Sequence, residues 1–133
     1  MNIPEYELEH LLGYDGRRHF LATGHFLKFE VRAIEKSERV PHGIAYSLTL
    51  HDTNGQRLMG FDNAHPVAHK GSAFVPAARQ ADHWHRNTQD AGRPYLFVSA
   101  VQLLDDFFDE AEHILEELGV AFEIVADREE KDQ

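Results

Sequence analysis

Four of the chain's ten histidines, His65, His69, His83 and His85, fall within 21 positions. Imidazole is the side chain that gains and loses a proton near neutral pH. Two of them can act as general base and general acid in one turnover. Asp62 lies just ahead of the cluster, where a carboxylate could orient one ring and set which nitrogen takes the proton. Cations accompany the histidines: Lys70, Arg79, Arg86 and Arg93, residues suited to holding a phosphate. Trp84 offers a face on which a nucleic-acid base could stack. Together these are the parts of a metal-free ribonuclease. One imidazole takes the 2′-hydroxyl proton, the other protonates the leaving oxygen, and cations stabilise the charged phosphorus centre. The expected catalytic set is Asp62, His65, His69, His83 and His85. The expected RNA-binding set is Lys70, Arg79, Trp84, Arg86 and Arg93, with no metal or other cofactor.

The same residues admit other readings. His65 and His69 are four apart and would share a helix face, whereas His83 and His85 are two apart and would share a strand face. With a carboxylate from Asp62 or Asp82, such imidazoles suit zinc, manganese or iron, so a metal-dependent hydrolase is one alternative. Another is a non-catalytic interaction module, its histidines serving only as caps and hydrogen-bond partners. A lone Trp is more often core packing than a stacking platform. Asp62-Asn63 could equally be an Asx-type turn that ends a strand. The chain has no cysteine, which excludes disulfides, thiolate metal sites and a Cys nucleophile. It has no GxGxxG, no GxxxxGK[ST], no GxSxG and no EF-hand loop.

The elements that would position these residues follow from periodicity. Residues 4–12 read as a short helix with Leu8, Leu11 and Leu12 on one side. Residues 18–35 read as one long strand, with Leu27, Phe29 and Val31 alternating against Lys28, Glu30 and Arg32. Residues 44–50 and 56–62 alternate on either side of Asn54-Gly55, the strongest short hairpin signal, because a type I′ turn needs positive φ at both central residues. A loop made of those two residues pairs Leu50 with Met59 and Leu48 with Phe61 on the core side. It pairs His51 with Leu58, Thr49 with Gly60 and Ser47 with Asp62 on the other side. Residues 63–93 carry two Pro, two Gly and the four histidines without a sustained period; a long irregular stretch inside a domain is usually functional or disordered. Residues 94–98 form a short apolar run that reads as a strand. Ser99 and Gln102 then make a capping box. The 99–118 helix follows, with Val101, Leu104, Phe107, Phe108, Ala111, Ile114, Leu115 and Leu118 in its stripe and Gly119 at its end. Residues 120–125 read as a last strand. The fold class is α+β: a small, mainly antiparallel sheet covered by a long C-terminal helix, with a short N-terminal helix and a long His-rich loop.

With 133 residues and a mass of 15.2 kDa, the chain is one domain's worth of protein. The expected division is a single domain over 1–126 and an acidic flexible tail over 127–133. The net charge of −10 is unevenly placed. Residues 105–133 hold 12 acids and 2 bases, which accounts for all of it, and residues 1–104 balance at 11 of each. This argues against a purely basic nucleic-acid binder and leaves room for a neutral body with a locally basic site, or for an acidic end that docks a basic partner. No apolar run approaches the ~18 residues of a membrane helix, and MNIPEYELEH lacks the basic-then-apolar layout of a signal peptide. The expectation is a cytoplasmic protein with no membrane partner.

The order of the pieces is itself informative. A hairpin ending in FDNAH, then HK, then DHWH, then PYLFVSAVQLLDDFFDEAEHIL resembles the TumE-like family of small bacterial proteins. The resemblance spans residues 24–118, and the acidic end beyond it is not part of the pattern. The family is described as toxins of toxin–antitoxin pairs. The resemblance implies a toxin acting inside the cell on RNA and held silent by a cognate antitoxin protein; it admits a homo-oligomer. Its pattern falls on Asp62, Asn63, His65, His69, His83 and His85.

Overall fold

Alternating apolar and polar residues build one antiparallel sheet, and the amphipathic C-terminal segment covers it as a helix. The structure is a computed structural model, and it describes residues 3–63, 82–86 and 92–129. Helix α1 spans Glu5–Leu12. The strands are β1 (Arg17–Leu21), β2 (Phe26–Ala33), β3 (Ile44–His51), β4 (Arg57–Asp62), β5 (His83–His85), β6 (Arg93–Pro94) and β7 (Ile124–Glu129), with helix α2 (Ala100–Glu117) between β6 and β7. The sheet order is β6-β5-β4-β3-β2-β1-β7. Strands β1 to β6 thus lie side by side in chain order, and β7 returns to the far edge beside β1. The α+β class expected from the sequence holds.

Several local expectations are corrected. The single strand over 18–35 is two strands, because Gly24 takes φ +96° and its N–H bonds to the Leu21 carbonyl at 2.9 Å. That turn needs a residue without a Cβ and sends β2 back along β1. The Asn54-Gly55 hairpin has no two-residue type I′ loop, since no non-glycine residue among those described, Asn54 included, has positive φ. Instead Gly55 donates to the Asp52 carbonyl at 3.0 Å, and Asp52 Oδ1 accepts from the backbone N–H of Asn54 and Gln56. The longer loop pairs His51 with Arg57 rather than Leu58, and a bulge between Leu50 and His51 absorbs the extra residue. Leu50–Met59, Leu48–Phe61, Thr49–Gly60 and Ser47–Asp62 therefore pair as the sequence predicts. Residues 94–98 supply only Pro94 to a strand; Phe97 then plugs the core at 1% exposure.

The C-terminal boundary also moves. The last strand runs from Ile124 to Glu129, beyond residue 126. Asp127 lies opposite His19 and receives a two-pronged bond from Arg17 of β1, Nε to Oδ1 at 3.0 Å and Nη2 to Oδ2 at 3.1 Å. Residues 127–129 thus belong to the sheet rather than to a tail, because charges that read as solvated in the sequence find cross-strand partners.

Helix α2 starts where Ser99 Oγ accepts the Gln102 N–H at 3.0 Å. The Gln102 side chain bonds forward to Asp106 instead of back to Ser99, so only half of the expected box forms. Gly119, at φ +74°, ends the helix: its N–H bonds to Glu116 and that of Val120 to Leu115, the Schellman arrangement. The buried stripe is Leu103, Leu104, Phe107, Ala111, Ile114 and Leu115. Val101 and Leu118 are exposed, and Phe108 is only half-buried. The stripe meets Leu27, Phe29, Leu48, Leu50, Met59 and Phe61 in one core.

Asn63 closes the end of β4. Its Oδ1 accepts the Tyr46 N–H at 2.9 Å, and its Nδ2 donates to the Ile44 carbonyl at 2.7 Å. The side chain is buried and serves as an extra rung between strands. Asn63→Ala leaves two buried backbone groups unpaired, and the expected loss is about 2–4 kcal/mol at ~1–3 kcal/mol per group. Urea denaturation of wild type and variant measures it.

Candidate functional site

The sheet's two faces have different tasks. Residues of one face pack under α2. On the other, register alignment sets side chains in rows across the strands. One row runs Glu30, Ser47, Asp62, His83; the next runs Arg18, Lys28, Thr49, Gly60, His85. Lys28, Glu30, Arg32 and Asp62 thus share a face, because successive residues of a strand point to opposite sides.

Asp62 and the β5 histidines meet on that face. Asp62 sits directly opposite His83 in the β4–β5 ladder, and His85 lies two residues further along β5. Asp62 Oδ1 is 2.8 Å from His83 Nε2, and Oδ2 is 3.3 Å from His85 Nε2. The two imidazoles stand edge to face with centroids 4.8 Å apart. One carboxylate therefore holds both rings, the closer bond going to His83. The side chains keep little solvent contact: 5% for His83, 9% for His85 and 15% for Asp62. Donor atoms of the three lie within 4.8 Å of one another, the geometry of a potential metal-ligand group among the described residues.

Trp84 and Asp82 alternate with the histidines and face the core. Trp84 stacks on Phe61 at 5.7 Å and lies beneath the Arg93 guanidinium at 5.0 Å. Trp84, Arg86 and Arg93, expected from the sequence as RNA contacts, lie on the other side of β5 from the imidazoles. Trp84 and Arg93 are cross-strand partners on the helix side of the sheet, and Arg86 bonds Glu117 near the end of α2 at 3.0 Å. Strand alternation separates them from His83 and His85. His65, His69, Lys70 and Arg79 lie outside the described residues.

Asp82 anchors a network that sequence reasoning missed. Its carboxylate accepts from the Tyr46 hydroxyl at 2.6 Å and from His42 Nε2 at 2.9 Å. His42 Nδ1 in turn accepts the Ile44 N–H at 3.2 Å, which leaves the ring hydrogen on Nε2, aimed at Asp82. His42 also stacks on Phe97 with centroids 3.9 Å apart. The side chains of His42 and Asp82 have no solvent exposure. The sequence carries no signal for this trio, since 36 to 40 residues separate the partners. The network fixes the residue that precedes His83, and Trp84 fixes the one that follows it. Two core-side anchors thus hold a strand of only three residues.

Burial pushes the Tyr46 phenol well above its ordinary value of 10.0, and the Asp82 carboxylate beside it adds to the effect. Tyr95 shifts the same way through burial and its 2.6 Å bond to Asp106. A folded pKa above the unfolded one means stability that is complete below about pH 10 and is lost as pH rises toward the folded value. Denaturation midpoints are expected to fall with pH above about 10, and Tyr46→Phe to flatten part of that slope.

The family model described as Toxin TumE matches residues 9–115. This chain belongs to the TumE toxin family. The match contains Asp62, His83 and His85, as well as His42, Tyr46 and Asp82, so both clusters lie in the part that is TumE-like. It ends within α2, and β7, whose Asp127 pairs with Arg17, follows it. No curated protein and no solved structure matches the chain. As a member of a toxin family, the protein has an antitoxin as its general class of partner. No helix among the described residues is long and apolar enough to cross a membrane.

Proposed function

We propose that this TumE family member is a toxin that acts on RNA, with Asp62, His83 and His85 as its reacting groups. The observation that carries the reading is the single carboxylate set between two imidazole Nε2 atoms on the sheet face away from the helix. A carboxylate in that position fixes ring orientation and tautomer, as the Asp of a Ser-His-Asp triad does. Cleavage would proceed by attack of a 2′-oxygen on the adjacent phosphorus. One imidazole takes the 2′-hydroxyl proton, the other gives a proton to the departing 5′-oxygen, and the ends formed are a 2′,3′-cyclic phosphate and a 5′-hydroxyl. Lys28 and Arg32 share the face and supply positive charge along which a phosphate chain would lie. The protein's place in this reading is the cytoplasm, where RNA and a cognate antitoxin are both present.

The test is induced expression in bacteria. Wild type is expected to arrest growth, and the His83→Ala/His85→Ala variant to allow it at equal soluble level. Purified wild type should leave cyclic-phosphate ends on RNA, and either single substitution should slow cleavage by about 10²–10⁴-fold. Undiminished arrest by the soluble double variant would remove these residues from the mechanism.

A further inference from the structure

We propose that Asp62, His83 and His85 form a binding site for one divalent transition-metal ion of the zinc class. The binding claim stands on geometry alone; its consequence for activity rests on the RNA reading above. Two imidazoles and a carboxylate make a mixed nitrogen and oxygen set that suits zinc and cobalt, while magnesium prefers oxygen alone. Ligands at ~2.0–2.2 Å from one tetrahedral ion sit about 3.3–3.6 Å from each other. Asp62 is already 2.8 Å from His83 Nε2 and 3.3 Å from His85 Nε2. No pair among the three donors exceeds 4.8 Å, so small side-chain rotations suffice to close the set.

The scaffold supports this use. The ligands come from two hydrogen-bonded strands, with Asp62 and His83 direct cross-strand partners. The backbone therefore need not move when an ion enters. Gly92 backs both rings. A Cβ there would lie 2.9 Å from His83 Cδ2 and 2.9 Å from His85 Cε1, so only glycine lets the chain pass this close. That contact restricts ring rotation, and ligand orientation by neighbouring groups is part of what sets metal affinity. The three side chains are largely withdrawn from water, where a dication compensates the charge of the carboxylate.

Binding needs no redox change. A neutral imidazole with its hydrogen on Nδ1 offers the Nε2 lone pair to the ion. Those lone pairs and hydrogens are what acid–base chemistry at this carboxylate would use. A bound ion is thus a competitor of that chemistry and would hold the site inactive.

Isothermal titration of the full chain with Zn²⁺, Co²⁺ and Mg²⁺ tests the site. One Zn²⁺ or Co²⁺ per chain is expected, Co²⁺ with a visible ligand-field band, and no binding of Mg²⁺. Asp62→Asn and His85→Ala should each weaken Zn²⁺ binding by about 100-fold or more, and Gly92→Ala should weaken it too. Circular dichroism melts without metal show that each variant is folded, and the near-isosteric Asp62→Asn keeps the test open if His85→Ala is not. No binding by wild type, or equal binding by folded Asp62→Asn, overturns the site. RNA cleavage that persists in chelator and stops with Zn²⁺ supports the competitor role. Cleavage that requires Zn²⁺ leaves the site standing but overturns the competitor role and the metal-free chemistry with it.

Discussion

Phe107→Asp is expected to leave no cooperatively folded protein. Phe107 is fully buried and stands edge-on to Phe29 at 5.6 Å and to Phe61 at 6.3 Å, joining α2 to β2 and β4. Loss of a buried phenylalanine costs about 3–5 kcal/mol. A carboxylate in the same place adds several kcal/mol more, because it would sit among the apolar side chains of the core. The sum reaches most of the ~5–15 kcal/mol that a domain has in total. Val101→Asp on the same helix is the control: Val101 is 46% exposed, and a surface change of this kind shifts stability by about 0.5 kcal/mol or less. Far-UV circular dichroism through a urea titration separates the two. A Phe107→Asp protein with a wild-type midpoint would make α2 a peripheral element.

Asp82→Ala is expected to cost about 2–6 kcal/mol, at ~1–3 kcal/mol for each buried donor left unpaired. It strands the Tyr46 hydroxyl and His42 Nε2, both now bonded to the lost carboxylate. Asp82→Asn should cost less, since its remaining carbonyl oxygen still accepts from one of them. Tyr46→Phe removes one donor and leaves the other bond in place, at about 1–2 kcal/mol. In the Asp82→Ala/Tyr46→Phe double variant the losses should fall short of their sum, because the hydroxyl has no partner left to lose. Strict additivity would mean that the Tyr46–Asp82 bond carries no energy. Denaturant midpoints of the four proteins decide this. In His42→Ala the same reasoning predicts a loss by two routes, the hydrogen bond to Asp82 and the packing on Phe97.

These effects mark where the sequence was readable. The apolar stripe of α2 was visible at three- and four-residue spacing, but it left out the buried Leu103 and took in the exposed Val101 and Leu118. Periodicity places Phe107 and Phe108 equally well, and only the position of Phe29 and Phe61 makes Phe107 the buried one. The hairpin pairing of Leu48 with Phe61 and Ser47 with Asp62 was predicted correctly from the wrong loop. The bulge at His51 absorbed the difference, and the alternation of buried and exposed residues left no other register open. The break at Gly24 was missed because Leu21 and Phe26 continue an apolar pattern across it, and one glycine gives only a weak turn signal by itself.

What the sequence determined by itself was local. Residue type and spacing set which side chains share a strand face or a helix face, hence that Asp62 leaves the core side, that His83 and His85 point the same way, and that the chain is TumE-like. Tertiary structure decided which faces meet. Pairing of β4 with β5 joins Asp62 to His83 and His85 across about 20 residues, and folding of 36 to 40 residues joins Asp82 to Tyr46 and His42. It also turned Trp84, Arg86 and Arg93 away from the imidazoles, which sequence proximity had grouped with them. Periodicity is a property of a few successive backbone dihedrals and is written in neighbouring residues. Strand partners are chosen by the burial of the whole core against the entropy of closing the loops between them, and no single segment contains that balance.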